Sequence, residues 1–141
     1  MNKHLEKIVS FLEKHHTLSL ATCKEGAPSS CTLFYAYDKE KNAFIVASDR
    51  KTKHIQNVLS NPKVSGSVHL ETDIVGKIQG VQFEGVMLTC EDEAKSYFKR
   101  FPYALAMNPT LWRIEVEYFK MTDNNLGFGK KLIWEKAQAS V

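Results

Sequence analysis

Between Thr17 and Ser48 the chain repeats with a period of two and is interrupted at two turn-forming stretches. Leu18, Leu20 and the β-tolerant Thr22 alternate in TLSLATC, Lys24-Glu25-Gly26-Ala27-Pro28 supplies a reversal, and SSCTLFYAY resumes the alternation. Asp38-Lys39-Glu40-Lys41-Asn42 is a second turn, and AFIVAS is a third run. Strands joined by links this short pair antiparallel, because a parallel return needs a crossover of a dozen residues or so. The stretch predicts a three-stranded antiparallel meander, around which the other elements have to pack.

Those elements read as a mixture. Leu5, Ile8, Val9 and Leu12 recur at helical spacing between Lys3, Glu6, Lys7, Glu13 and Lys14, predicting an amphipathic helix over the first ~15 residues. Ile55, Val58 and Leu59 predict a short helix stopped by Asn61-Pro62. Val64 to Leu70 and Ile78 to Thr89 read as strands, the second punctuated by Gly80 and Gly85, which suit bulges or bends at the corners of a small barrel. Ala94, Tyr97, Phe98 and Phe101 form a helical face behind the acidic start Glu91-Asp92-Glu93, ended by Pro102. Leu111 to Thr122 alternates again, and Asp123 to Trp134 is turn-rich with an apolar end. About six strands with helices in the connections predict an α+β protein built on a compact barrel.

At 141 residues the chain suits one domain over 1–141, opened by a helix within 1–16 and closed by a frayed tail over 135–141. No apolar run approaches the ~18–20 residues of a membrane span, and the charged N-terminus lacks the apolar core of a signal peptide, so the default location is the cytoplasm. Cys23, Cys31 and Cys90 lack paired spacing and read as buried thiols rather than disulfides or a zinc site, although the turn after Lys24 leaves open that Cys23 and Cys31 face each other. His15 and His16 end the first helix; adjacent helical residues diverge by about 100°, which suits the helix dipole better than a metal. No metal site is expected.

Charge is informative only by position, since 19 Lys+Arg against 16 Asp+Glu leave a net charge of +3. VASDRKTKHI, Val46 to Ile55, concentrates cations where a strand turns into a helix. A helix N-terminus offers unpaired amides and the positive end of its dipole. Ser48 and Thr52 add hydroxyl donors, Arg50 a planar fork, and Lys51, Lys53 and His54 compact charge, so a terminal phosphate monoester is the fitting guest. The plainer reading is a solvated loop in which Asp49 or Thr52 caps the helix. Nucleic acid fits less well, because the rest of the chain is nearly neutral. Gly127-Phe128-Gly129 lacks the third glycine of a dinucleotide fingerprint. Phe34, Tyr35, Trp112, Phe128 and Trp134 suit either ring stacking or a core. Lys130 and Lys131 either flank an anion or form a surface turn, with Trp134 against the ligand or anchoring the last strand.

The succession strand, basic corner, short helix and NPKVS resembles the pyridoxamine 5′-phosphate oxidase-like, FMN-binding split-barrel superfamily. EKHHTLSLATCKEGAPSSCTLFYAYD, DRKTKH, IQGVQFEG, KRFP and TDNNLGFGKKLIW resemble a small YhbP-like bacterial family within it. The resemblance implies a six-stranded antiparallel split barrel and a homodimer with FMN at the subunit interface. It implies that Ser48, Arg50, Lys51, Thr52, Lys53 and His54 approach the phosphate. Ser30, Cys31 and Thr32 would lie near the ring or ribityl chain, and Gln79 and Gln82 would reach in from the partner. Ser30 stands where the oxidase has a phosphate-binding arginine, and Gly80 where it has a flavin-contacting glutamine; vitamin B6 oxidation is not implied. The expected activity is a flavin-dependent oxidoreduction of unknown substrate. The alternative is a non-enzymatic flavin- or haem-binding protein for storage or sensing, with His15, His16, His54 and His69 as possible axial ligands.

Overall fold

The computed structural model describes residues 2–90 and 94–139. The first element, α1 (Lys3–Lys14), buries Leu5, Ile8, Val9, Phe11 and Leu12, and the Asn2 side chain caps it by accepting from the amides of His4 and Leu5. The meander follows as β1 (Thr17–Lys24), β2 (Ala27–Asp38) and β3 (Ala43–Ala47), antiparallel throughout. Its first reversal is the pair Glu25-Gly26, both at positive φ (52° and 79°), which matches the right-handed twist of the strands it joins.

Beyond it come α2 (Lys53–Ser60), β4 (Lys63–His69), β5 (Gln79–Thr89), α3 (Ala94–Arg100), β6 (Leu111–Asp123), β7 (Lys131–Glu135) and α4 (Lys136–Ala139). The sheet runs β3-β2-β1-β4-β5-β6, and β3 pairs again with β6, so six strands close into a ring. The expected six-stranded barrel is this ring. A seventh strand, β7, joins β6 at Tyr118–Thr122, beyond the Leu111–Ala47 end of β6 that pairs with β3. Burial alternates along β6 on either side of Glu117, with its phase shifted by one residue there, so one long strand serves two neighbours. The acidic start Glu91-Asp92-Glu93 expected before α3 lies outside the described residues.

The two strand glycines differ. At Gly85 the β5–β6 register shifts, leaving Glu117 as the extra residue, and an added Cβ would lie 2.2 Å from the Glu115 carbonyl oxygen. At Gly80 the ladder is regular and an added Cβ would meet nothing nearer than 3.5 Å, so the bulge expected there is absent. Close approach also requires glycine at Gly66, whose Cβ would meet the Ser19 carbonyl oxygen at 2.2 Å.

The main core fills the ring and extends to α1 and α2, with Phe44 contacting the rings of Tyr35, Tyr37 and Phe83 at 5.1, 5.0 and 4.6 Å. The Tyr35 hydroxyl donates to the Leu12 carbonyl at 2.6 Å, and burial pushes its pKa up, so it remains a neutral donor. A smaller cluster lies between α3 and the outer side of β2–β3: Ala36, Ala43, Ile45, Tyr97, Phe101 and Ala104. Arg100 ties it to α1, donating to the carbonyls of Tyr35, Glu13 and His15. On α2, Leu59 is exposed and Asn57 is buried instead, a reversal of the apolar face read from sequence. Its amide donates to the Thr22 hydroxyl at 3.0 Å, which satisfies the buried polar group.

Register also defines the outer face. Thr32, Ser19, Ser67, Gln82, Lys120 and Ile133 are successive partners across β2, β1, β4, β5, β6 and β7. Directly opposed residues in antiparallel ladders share a face, so this is one continuous row.

Candidate functional site

The basic corner is built on an internally satisfied frame. Ser48 leaves β3 with its amide donating to the Thr110 carbonyl at 3.0 Å, and its carbonyl accepts from Trp112 Nε1 at 2.9 Å. Asp49 tightens the turn: its carboxylate accepts from the Lys51 amide at 2.7 Å, and its carbonyl accepts from the Thr52 amide and hydroxyl at 3.1 and 2.8 Å. Thr52 caps α2, its side chain accepting from the Ile55 amide at 3.4 Å. Gln56 Nε2 donates to the Arg50 carbonyl at 2.6 Å. The capping role of Asp49 and Thr52 and the basic character of the corner therefore coexist.

Three half-buried groups converge within the turn. His54 Nε2 lies 2.5 Å from Ser48 Oγ and 3.3 Å from Thr52 Oγ1, and the two hydroxyl oxygens are 3.5 Å apart. Because the Thr52 proton is directed at the Asp49 carbonyl, Thr52 acts as an acceptor toward the other two. Burial lowers the His54 pKa, so at neutral pH the ring contributes hydrogen bonds and not the charge expected of it. Positive charge is left to Arg50, Lys51 and Lys53, all exposed. The Arg50 guanidinium lies over the Trp112 ring, 5.2 Å from its centre. The amides of Lys53 and His54, in the first turn of α2, lie where no intrahelical acceptor reaches.

The strand expected beside the corner divides by face. β3 ends at Ala47, whereas β2 extends back to Ala27, so β2 loses its neighbour on that side just where the corner departs. Ser30 and Thr32 are exposed on the outer face. Cys31 is turned inward against the main core, and burial raises its pKa. Gln82 shares the outer row with Thr32, three strands away. Gln79 has the opposite parity on β5, and its amide donates to Asp123 Oδ1 at 3.4 Å. The structure thus groups Ser48, Thr52 and His54, with Arg50, Lys51 and Lys53 exposed on the same turn and first helical turn; Ser30 and Thr32 lie on the stretch of β2 that β3 leaves unpaired; Gln79 and Gln82 do not stand together.

Cys23 pairs with Pro28 and Cys31 with Leu20, so the two thiols do not face each other. None of the three cysteines is in a disulfide, and each is half-buried rather than fully buried. His15 Nδ1 contacts the Phe11 carbonyl at 2.9 Å and its ring stacks on Phe11, while His16 and His69 are exposed. No cluster of three or more metal-binding side chains occurs among the described residues. Trp134 is buried and meets Phe119 at 5.9 Å, so it anchors β7. Lys130 is exposed, and Lys131 Nζ donates to the Thr122 hydroxyl at 3.0 Å. Sequence reading missed Thr110 and Gln56, whose contributions depend on backbone groups brought together by the fold.

Comparison with known proteins agrees with this fold. The family model described as pyridoxamine 5′-phosphate oxidase matches residues 5–122. The UPF0306 protein YhbP of Escherichia fergusonii is 36% identical over 141 residues, covering 96% of each chain. Among solved structures, a heme binding protein from Mycobacterium smegmatis superposes with a TM-score of 0.78 at 17% identity, over 96% of this chain and 59% of that one. A FAD-binding protein from Mesorhizobium loti gives 0.65 at 21% identity, over 82% and 89%. None of the helices described is long and apolar enough to cross a membrane. With a ring of six antiparallel strands, a basic strand-to-helix corner and matches that span nearly its whole length, the chain belongs to the pyridoxamine 5′-phosphate oxidase family, among its YhbP-like UPF0306 members.

Proposed function

We propose that the protein binds FMN, with the phosphate at the Ser48–His54 corner, and serves as a flavin-dependent oxidoreductase acting on a small molecule. The observation that carries this reading is the separation of roles within the corner. Asp49, Thr52 and Gln56 hold the backbone, so Arg50, Lys51 and Lys53 present their charge outward around the first amides of α2. This donor set fits a phosphate dianion, since each charge-assisted hydrogen bond contributes roughly 1.5–3 kcal/mol. Ser30, in place of an arginine, leaves a hydroxyl donor and one positive charge fewer.

Bound FMN would supply hydride and electron transfer, which explains why no acid–base pair of the usual kind is needed. The residues of this chain would orient it: the corner fixes the phosphate, and Ser30 and Thr32 line the open face of β2. The proposal includes a homodimer, in which the outer row ending in Ile133 meets a second copy. Ile133 and Phe34 are 45% and 53% exposed on that face, which favours a covered surface. Light scattering that finds a monomer contradicts this part.

Haem is the second reading, favoured by the exposed His69 and by the likeness to a structure described as haem-binding. Absorption of protein purified without added cofactor, then titrated with FMN and with haemin, separates the two. The FMN reading expects flavin bands near ~450 nm and quenched flavin fluorescence; a Soret band near ~400 nm with no flavin quenching overturns it.

A further inference from the structure

The three groups that converge at the basic corner have few protons to share. A hydroxyl has one proton and two acceptor positions, and a neutral imidazole has one N–H and one bare nitrogen. Thr52 has committed its proton to the Asp49 carbonyl at 2.8 Å and accepts from the Ile55 amide at 3.4 Å. Its remaining acceptor position is left to Ser48 Oγ at 3.5 Å and His54 Nε2 at 3.3 Å. Burial keeps the His54 ring neutral at neutral pH, so one of its two nitrogens carries the proton. The choice between them decides what Ser48 has to offer a ligand.

With the proton on Nδ1, the bare Nε2 takes the Ser48 proton across 2.5 Å and also confronts the Thr52 oxygen, two acceptors with no proton between them. Ser48 is then spent. With the proton on Nε2, one N–H serves the Ser48 oxygen and leans toward the Thr52 oxygen, a shared bond of the kind common at helix ends. The Ser48 proton is released, and only the long contact to Thr52 competes for it. A phosphate oxygen is the stronger acceptor, because it is charged. Nδ1 has no partner among the described residues, so no carbonyl or carboxylate fixes the proton on that side. The cations of the turn and helix, Arg50, Lys51 and Lys53, draw an anion to the same place, and the one carboxylate of the turn, Asp49, is held by the Lys51 amide at 2.7 Å.

We infer that His54 carries its proton on Nε2 and donates it to Ser48, which turns the Ser48 hydroxyl outward as a donor to the ligand's phosphate. His54 is a positioning residue that acts through Ser48. The ligand in this inference rests on the reading of the corner as the phosphate site; the tautomer rests on the Ser48–Thr52–His54 geometry alone.

The test has two arms. Long-range proton–nitrogen NMR spectra of isotope-labelled full-length protein, recorded without ligand and well above the ordinary histidine pKa, are expected to show Nε2 of His54 protonated and Nδ1 bare. The reverse assignment overturns the inference whatever the corner binds. The second arm titrates FMN and riboflavin by fluorescence. Ser48→Ala and His54→Leu are each expected to weaken FMN about tenfold relative to riboflavin, the loss of one charge-assisted bond, and the double variant no more than either alone. His54→Gln, whose side-chain amide brings an N–H to where Nε2 lay, is expected to recover the FMN binding that the leucine variant loses. Additive losses, a leucine variant that binds FMN as the wild type does, or no recovery with glutamine would each overturn the inference. Equal affinity of the wild type for FMN and riboflavin would instead overturn the phosphate reading, and the spectra would still decide the tautomer.

Discussion

The Ser48–His54 corner and the stretch of β5 around Gly80 are both polar, but they are constructed in opposite ways. At the corner, nearly every short polar group is already engaged: Asp49 by Lys51 and Thr52, Thr52 by Ile55, Ser48 by His54, and the Ser48 backbone by Thr110 and Trp112. Its long cations are what remain outward. Around Gly80 the regular ladder is itself the frame, and the side chains of His69 and Gln82 have no hydrogen-bond partner among the described residues. The difference teaches that a backbone held by its own short side chains can aim charge at a point, whereas a regular ladder leaves its polar side chains undirected.

The comparison predicts effects that separate the two regions. The largest follows from removing Arg50 and Lys53 together. Losing two charge-assisted contacts costs about 3 kcal/mol of FMN binding, roughly 100-fold in affinity by fluorescence titration. Both side chains are exposed, so the midpoint of denaturant unfolding stays within about 0.5 kcal/mol. Next is Trp112→Phe, which leaves the half-buried Ser48 carbonyl without its indole donor; unfolding stability falls by about 1–2 kcal/mol. A smaller loss would mean that the corner is held chiefly by its other bonds. Gly80→Val changes stability in the other direction, raising it by about 0.5–1 kcal/mol as β-propensity and reduced unfolded-state freedom are gained.

The smallest effect concerns pH. The His54 pKa is lowered by burial, so the unfolded chain takes up the proton first on acidification. The contribution is fully present above the ordinary histidine value and is lost as pH falls from there through the lowered folded value. Thermal midpoints of wild type and His54→Gln, compared between neutral and acidic pH, are expected to converge as the pH drops. A wild-type midpoint that rises over that window would contradict neutral His54 in the folded corner.

The ring of strands was legible because alternation survives in sequence: Leu18, Leu20 and Thr22 read inward, and the Glu25-Gly26 turn follows from residues suited to its backbone. Strand β7 was harder to read, since Lys131–Glu135 offers only two buried positions, Leu132 and Trp134, after a turn-rich stretch. On α2, periodicity selected Leu59 over Asn57, because a hydrogen bond to Thr22, 35 residues away in sequence, cannot be seen from local spacing. The same limit applies at the site. Basic residues and a capping threonine announced the corner, but the partition between engaged and outward groups depends on Thr110, Trp112 and Gln56. Gly80 and Gly85 look alike in sequence; only the neighbour across the ladder shows that one is required by close packing and the other leaves space.

The most direct measurement is a paired fluorescence titration of the purified protein with FMN and with riboflavin, which has the same ring but no phosphate. If the corner holds the phosphate, FMN binds at least about tenfold more tightly, and the advantage disappears in the Arg50→Ala, Lys53→Ala protein. Equal affinity for the two flavins, or an FMN preference that survives loss of both cations, would contradict the assignment of the Ser48–His54 corner as the phosphate site.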